Sequence, residues 1–245
     1  MSAGTGAAWD VGLTPQQMSL FDSYCRLLLE HRRRYGLTSL TERAQIERRH
    51  FGESLALGRA LDAAGVLASP AIDIGAGAGF PGVPIKIVRS ELHLTLLEAT
   101  GKKAAFLRLL VETLGLVDVA VVQGRAEEVG HDPAHRERYR LALARAVAPL
   151  PVLVELALPF LQVGGVLAAP KGSGAPREAR EAAAALEACG GRVELVRPLD
   201  VPSPAVAPTL VLVRKVAPTP ASLPRRPGVP GKRPLGGRRG GSARQ

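Results

Sequence analysis

The stretch Ala71-Ile72-Asp73-Ile74-Gly75-Ala76-Gly77-Ala78-Gly79-Phe80-Pro81-Gly82 decides the fold. Its first four residues are apolar apart from Asp73, and a short apolar run ending at glycine predicts a buried parallel strand. Gly75, Gly77 and Gly79 leave the backbone free to turn and to approach a ligand. Pro81 and Pro84 are tolerated only in the first turn of a helix, so a helix is predicted to begin near Gly82. Strand, glycine-rich turn and helix are the parts from which a doubly wound α/β domain builds a ligand site at its strand carboxyl ends.

Outward from this stretch, apolar strands alternate with helical patterns. Strands are predicted at 71–74, 93–98, 119–122, 141–145, 166–169, 192–197 and 209–215. The last two have no helix between them, so the seven-stranded sheet is mostly parallel with an antiparallel edge. Ahead of the sheet, residues 14–66 read as a helical extension. Thr14-Pro15 marks a helix start, and Gly36 and Gly65 mark stops. The expected division is a flexible N-terminus over 1–13, the helical extension over 14–66, an α/β domain over 67–216 and a basic Pro/Gly/Arg-rich tail over 217–245.

Composition narrows the function class. The chain has 245 residues and a net charge of +10, and 46% of it is hydrophobic. Nine cations and no acid follow Asp200, so residues 1–200 carry only about +1 of that charge. A basic tail suits a polyanion partner. Cys25 and Cys189 lie far apart with no ligand-spaced His or Cys beside them. No disulfide framework or metal site is expected, and the cytoplasm is the expected compartment. No run approaches the ~18 apolar residues of a membrane span, and no signal peptide is expected at the first residues.

Two ligands compete for the glycine-rich turn. Gly77-Ala78-Gly79-Phe80-Pro81-Gly82 formally matches the dinucleotide fingerprint, but Pro84 starts the helix too late for the third glycine to lie inside it. The other ligand is S-adenosylmethionine, AdoMet, which needs a glycine-lined floor at Gly75 and Gly77 and an acidic acceptor for its ribose. Glu98, closing the second strand, suits the two hydroxyls. Asp73 is placed to face a cationic methionine end and to repel a pyrophosphate, unless it merely stabilises the turn. Ala126 leaves room for an adenine ring, and Glu127 either accepts from its amino group or favours a helix start. Arg145, ending the fourth strand, holds substrate or a cofactor carboxylate or forms a local ion pair. Lys171, ending the fifth, is a candidate for RNA phosphate.

An ordered series of blocks resembles the bacterial RsmG (GidB) family of 16S rRNA guanine-N7 methyltransferases. The series comprises Asp73 to Pro84, Glu98-Ala99-Thr100-Gly101-Lys102-Lys103, Gly124-Arg125-Ala126-Glu127, Ala144 to Leu150, Lys171-Gly172 and Pro224-Arg225-Arg226-Pro227-Gly228. The resemblance implies a class I methyltransferase fold that uses AdoMet. It places cofactor contacts on Gly75, Phe80, Glu98, Ala99, Thr100, Ala126, Glu127 and Arg145. The implied partner is 16S rRNA or the small ribosomal subunit, met by a monomer. Candidates to grip RNA are Arg32, Arg33, Arg34, His50, Lys102, Lys103, Lys171, Arg225 and Arg226. Gly36 and Glu53 depart from the family's usual Asn and Asp, both in the N-terminal part of the RNA site that the resemblance implies. Guanine N7 has a free lone pair and no proton, so no acid–base residue is required; Arg145 and Lys171 are candidates for positioning the substrate. The readings set against this one are an RNA-binding relative without activity and a nicotinamide-dependent oxidoreductase.

Overall fold

The computed structural model describes residues 9–10, 12–201 and 207–236. The first helix, α1 (Pro15–Tyr35), starts at a capping box. The Thr14 hydroxyl accepts from Gln17 N, and the Gln17 side chain accepts from Thr14 N. It ends at Gly36, whose φ of 64° is left-handed. Glycine and asparagine are the residues that tolerate this cap, so the Gly36 departure keeps the backbone geometry. A short helix, α2 (Arg43–Ile46), passes through a π-helical turn (Glu47–Gly52) into α3 (Glu53–Ala63).

Helix and strand then alternate: β1 (Ala71–Ile74), α4 (Gly82–Val88), β2 (Leu94–Glu98), α5 (Gly101–Thr113), β3 (Val119–Gln123), α6 (Ala126–Val129), β4 (Tyr139–Leu143) and α7 (Leu150–Ala157). A 3₁₀ turn (Leu158–Phe160) leads to β5 (Leu161–Lys171), followed by α8 (Ala175–Glu181), α9 (Ala183–Cys189), β6 (Gly191–Pro198), β7 (Thr209–Lys215) and α10 (Val229–Lys232). The strand order is β3-β2-β1-β4-β5-β7-β6. The β1–β5 neighbours pair in parallel, and β7 is antiparallel to both β5 and β6. The predicted mixed edge is therefore present.

Each strand feeds two cores, as a two-residue side-chain period requires. Leu141 and Leu143 of β4 pack on the face that carries α1, α3, α4 and α5, while Ala142 packs on the face that carries α7 and α9. Covering both faces is what makes these strands apolar throughout.

Most strand ends lie within a residue of the sequence reading, but three features differ more. β4 ends at Leu143, so Arg145 lies in the loop beyond the strand. Asp73↔Leu143 is the last β1–β4 pair, because the chain turns away at Gly75. β5 is 11 residues long, and its Gly164-Gly165 pair, which resembles a turn in sequence, continues the strand beside a register shift in β4. Trp9 falls in the stretch expected to be flexible, yet it is buried against Phe21 and Phe51 at ring distances of 5.4 and 5.6 Å. The other eight residues of the N-terminal stretch up to residue 8, and the tail beyond residue 236, lie outside the described residues.

The segment after β7 is irregular except for α10, but it is fastened down. Lys215 is fully buried, and its ammonium donates to the carbonyls of Leu158 and Leu161, to the Thr219 hydroxyl and to Glu137. Arg136 donates to the carbonyls of Thr219, Pro220 and Leu223.

Candidate active site

The carboxyl ends of β1, β2 and β3 meet at the glycine-rich turn. Gly75 has φ of 67°, and a Cβ there would stand 2.9 Å from Val147 Cγ2, so only glycine fits. The turn is held from three sides. Gly75 N and Ala76 N donate to Leu97 O at 2.8 and 3.1 Å. Above, the Tyr24 hydroxyl of α1 donates to Ala78 O at 2.6 Å. Below, Asp73 Oδ2 accepts from Gly82 N at 2.8 Å.

Asp73 is a correction to the sequence reading. It is fully buried under the turn and does not open on the cleft. Its work is to pin Gly82, and its other oxygen is buried without a hydrogen-bond partner. Burial pushes its carboxyl up to about 7, against the Gly82 hydrogen bond, which pulls the other way.

Glu98 joins two loops. Its Oε2 accepts from Gly77 N at 2.9 Å and its Oε1 from Thr100 N at 2.7 Å. Each oxygen keeps a further lone-pair direction for a ligand hydroxyl. Ala99 and Thr100 are exposed beside it. A cavity of about 120 Å³ opens between Gly75, Ala99, Gly124, Ala126 and Glu127, with Ile74, Leu97, Val147 and Leu156 as apolar walls. Such a slot suits a flat ring, with an acidic acceptor at its rim. Of the expected cofactor contacts, Gly75, Ala99, Ala126 and Glu127 line the slot, and Gly77, Glu98 and Thr100 form the hydrogen-bonded rim next to it. Glu127 also turns outward: its Oε1 accepts from Gly228 N at 3.0 Å.

Phe80 and Arg145 meet each other away from the slot. Phe80 lies between Tyr24 (5.2 Å, 10° between planes) and His50 (4.6 Å, 26°), and the Arg145 guanidinium carbon sits 5.1 Å from its ring centre. Arg145 also donates to His50 Nδ1 at 3.1 Å, Arg49 O at 3.3 Å and Glu53 Oε2 at 3.4 Å. Because a guanidinium only donates, Nδ1 must accept, and the imidazole proton resides on Nε2, 3.0 Å from Thr38 Oγ1. Burial, reinforced by Arg145 and Arg49, lowers His50 to about 3. His50 is thus neutral and is not a cation for RNA, contrary to the sequence reading. Glu53, the second departure, is the acidic partner of Arg145, and burial raises its carboxyl above the usual range. The next residue, Ala146, has φ of 56°, a left-handed conformation that costs a non-glycine residue about 1–2 kcal/mol.

The remaining basic candidates divide. Arg33, Arg34 and Lys102 are exposed, and Arg32 and Lys103 are half-buried. Arg32, in the last turn of α1, has a buried, unpartnered Nε, and Arg34 lies over the Tyr35 ring. Lys171 is taken up internally by Glu178 at 3.1 Å and by the Ala148 carbonyl, and is therefore not free for phosphate. Arg225 is likewise committed. Its Nε and Nη2 bond the fully buried Glu155 at 2.8 and 2.6 Å, and its backbone N adds a bond of 2.9 Å. Arg226 is exposed.

Sequence reasoning missed Tyr24, Thr38, Glu155 and the outward bond of Glu127, all of which act across 12 or more residues. One signal was available: Glu155 is an acid inside the apolar run Leu150 to Phe160, and a buried acid demands a cation. Among the described residues no group of three His, Cys, Asp or Glu gathers as a metal site, and no helix is long and apolar enough to cross a membrane.

Residues 17–204 match the family described as rRNA small subunit methyltransferase G, GidB. A "Ribosomal RNA small subunit methyltransferase G" of Roseiflexus castenholzii is 47% identical over 93% of this chain and 96% of its own length. One of the same name from Chloroflexus aggregans is 45% identical over 94% and 95%. Among solved structures, a mutant of MtNAS in complex with S-adenosylmethionine superposes with a TM-score of 0.56 at 18% identity, covering 82% of this chain and 76% of that one. That last likeness is one of fold.

Proposed function

Given that the chain belongs to the rRNA small subunit methyltransferase G family, we propose that it transfers the methyl group of AdoMet to N7 of a guanine in the RNA of the small ribosomal subunit. The observation that carries this reading is Glu98, a carboxylate at the rim of an apolar slot whose floor is a glycine that no side chain can replace. Acceptor, slot and floor fit the ribose, adenine and methionine parts of that cofactor in turn. A slot of about 120 Å³ is smaller than the ~300 Å³ and more typical of whole-ligand pockets, so it suits the adenine end, and the rest would lie along the open glycine turn.

When bound, AdoMet supplies an electrophilic methyl group on a cationic sulfonium. The chain's own residues then have a positioning task. Glu98 accepts the ribose hydroxyls with its free lone pairs, and Ala126 keeps the ring space open between Leu97 and Val147. Arg145, oriented by Glu53 and by neutral His50, presents a fixed cation beside the turn, for the cofactor's carboxylate or for RNA. No side chain needs to remove a proton from guanine N7. Alignment alone is worth several kcal/mol of barrier, on the order of 7–11 in the best intramolecular cases. N7 lies in the deep groove of A-form RNA, where side chains do not reach, so the target base is in a loop or is extruded. The chain works as a monomer in the cytoplasm on this reading.

The test is incubation with methyl-labelled AdoMet and small subunits, or their naked 16S rRNA, from a strain without this modification. Label should enter the RNA at a guanine that becomes sensitive to borohydride and aniline, the cleavage that reports N7 methylation. AdoMet binding by calorimetry without label in either RNA form would defeat the reading. Binding of NADH in place of AdoMet would return the slot to the oxidoreductase alternative.

A further inference from the structure

The segment after β7 carries a second concave feature, an open groove of about 750 Å³. Its lining includes Arg225, Arg226, Lys232 and Arg233 and no acid. Arg225 is neutralised from beneath by Glu155. Arg226, Lys232 and Arg233 are exposed, and none of them forms a salt bridge among the described residues. Like charges held together without counter-charge repel, and a polyanion relieves them by releasing its counterions.

The groove is not a loose tail. Arg225 anchors it to Glu155 of α7, and Gly228 N anchors it to Glu127 of α6. Glu127 itself, and Leu156 next to Glu155, line the cofactor slot. Groove and slot have no lining residue in common, but the groove segment is bonded to the two helices, α6 and α7, that supply part of the slot's lining. Pro227 between the anchors, with Pro224, Pro230 and Pro234 on either side, stiffens the segment, which reduces the conformational entropy left to lose on binding.

We infer that this groove is a binding site for the phosphodiester backbone of the substrate RNA, with Arg226, Lys232 and Arg233 as its phosphate contacts, mounted at a fixed offset from the cofactor slot. The inference rests on the RNA substrate proposed above and adds where the strand is held.

The test compares the full-length protein with the triple variant R226A/K232A/R233A. Binding to in-vitro transcribed 16S rRNA is measured between 50 and 200 mM salt. Each lost phosphate contact on a single strand should lower the slope of log K against log[salt] by about 0.7. Three contacts remove about 2 from the slope, equivalent to roughly a 20-fold smaller loss of affinity over that fourfold salt range. AdoMet affinity by calorimetry should stay at the wild-type value, because the three side chains are not part of the slot, and this also reports an intact fold. A triple variant whose slope and affinity match those of the wild type overturns the groove. So does a wild-type protein that shows no salt-dependent RNA binding. Label transfer by the wild type judges the methylation reading separately, and the slope comparison holds whether or not label is transferred.

Discussion

Arg225→Ala gives a strong test of how the C-terminal segment is held. The Glu155 carboxylate is 0% exposed and receives three bonds from Arg225, two of them from the guanidinium. Removing the guanidinium leaves a buried carboxylate with one backbone amide. Removing one partner of such a pair costs about 3–5 kcal/mol, and the remaining amide places this case near about 3. A protein of this size has a urea m-value of about 2–3 kcal/mol/M, so the midpoint should fall by about 1–1.5 M with m unchanged. The assay is equilibrium urea unfolding followed by far-UV circular dichroism and by fluorescence of Trp9, the chain's one tryptophan. Trp9 sits in the N-terminal aromatic cluster, so coincident transitions show that loss of the pair destabilises the whole fold. The double variant E155L/R225M removes both charges and should return to within about 1 kcal/mol of wild type. A midpoint shift below about 0.3 M for R225A, or a double variant as unstable as the single, would refute the account of a buried, mutually dependent pair.

Three further outcomes follow from the site. Glu98→Ala should weaken AdoMet binding at least tenfold by calorimetry, since hydrogen bonds to a charged acceptor contribute about 1.5–3 kcal/mol, while Glu98→Asp should retain most of it. Ala146→Gly should stabilise the fold by about 0.5–1 kcal/mol, the left-handed strain relieved less the entropy glycine adds to the unfolded chain; destabilisation would show that Ala146 is not strained. Stability against pH has two opposed contributions. Asp73 is raised from 3.8 to about 7, so the folded state holds its proton longer and this contribution is lost as pH rises from about 4 to 7. His50 is lowered from 6.5 to about 3, so its contribution is present above 6.5 and lost as pH falls. Between about pH 4 and 6.5 the two slopes, each about 1.4 kcal/mol per unit, cancel. Asp73→Asn should unmask the His50 slope and make the variant roughly 3 kcal/mol less stable at pH 4.5 than at 6.5, relative to wild type over the same interval; a variant that tracks wild type over this range would show that the two groups do not titrate as described.

The sheet and its glycine-rich turn were legible because their signals are local. An apolar run, four glycines and two prolines within 14 residues fix strand, turn and helix start without reference to the rest of the chain. Glu98 was legible for the same reason, as an acid closing a strand. Asp73 was misjudged because sequence gives its position but not its depth: one register step decides whether a carboxylate faces a ligand or the underside of its own turn. His50 was read as a cation because its charge depends on Arg145, which is 95 residues away. Lys171 and Arg225 were read as free because their acids, Glu178 and Glu155, lie on neighbouring helices. Trp9 was overlooked as a lone aromatic among small residues, although four of the chain's few aromatics form its contacts and the stack beyond them, running from Phe21 through Tyr24 and Phe51 to Phe80.

The bond from Gly228 to Glu127 spans 101 residues and sets an order of events during translation. A growing chain that has completed β1 to α7 already holds the glycine turn and Glu98, but Glu127 and Glu155 still await the partners that fasten them. At about 5–20 residues per second, that interval is about 5–20 s. Glu127, which lines the slot, is fastened only when residue 228 has been made. Stop codons or deletions that remove residues near 225–228 should therefore leave a chain with every strand of its sheet and an unfinished ligand pocket. A protein whose proposed substrate is the ribosome's own RNA thus gains the Glu127 anchor only after residue 228 has been made there.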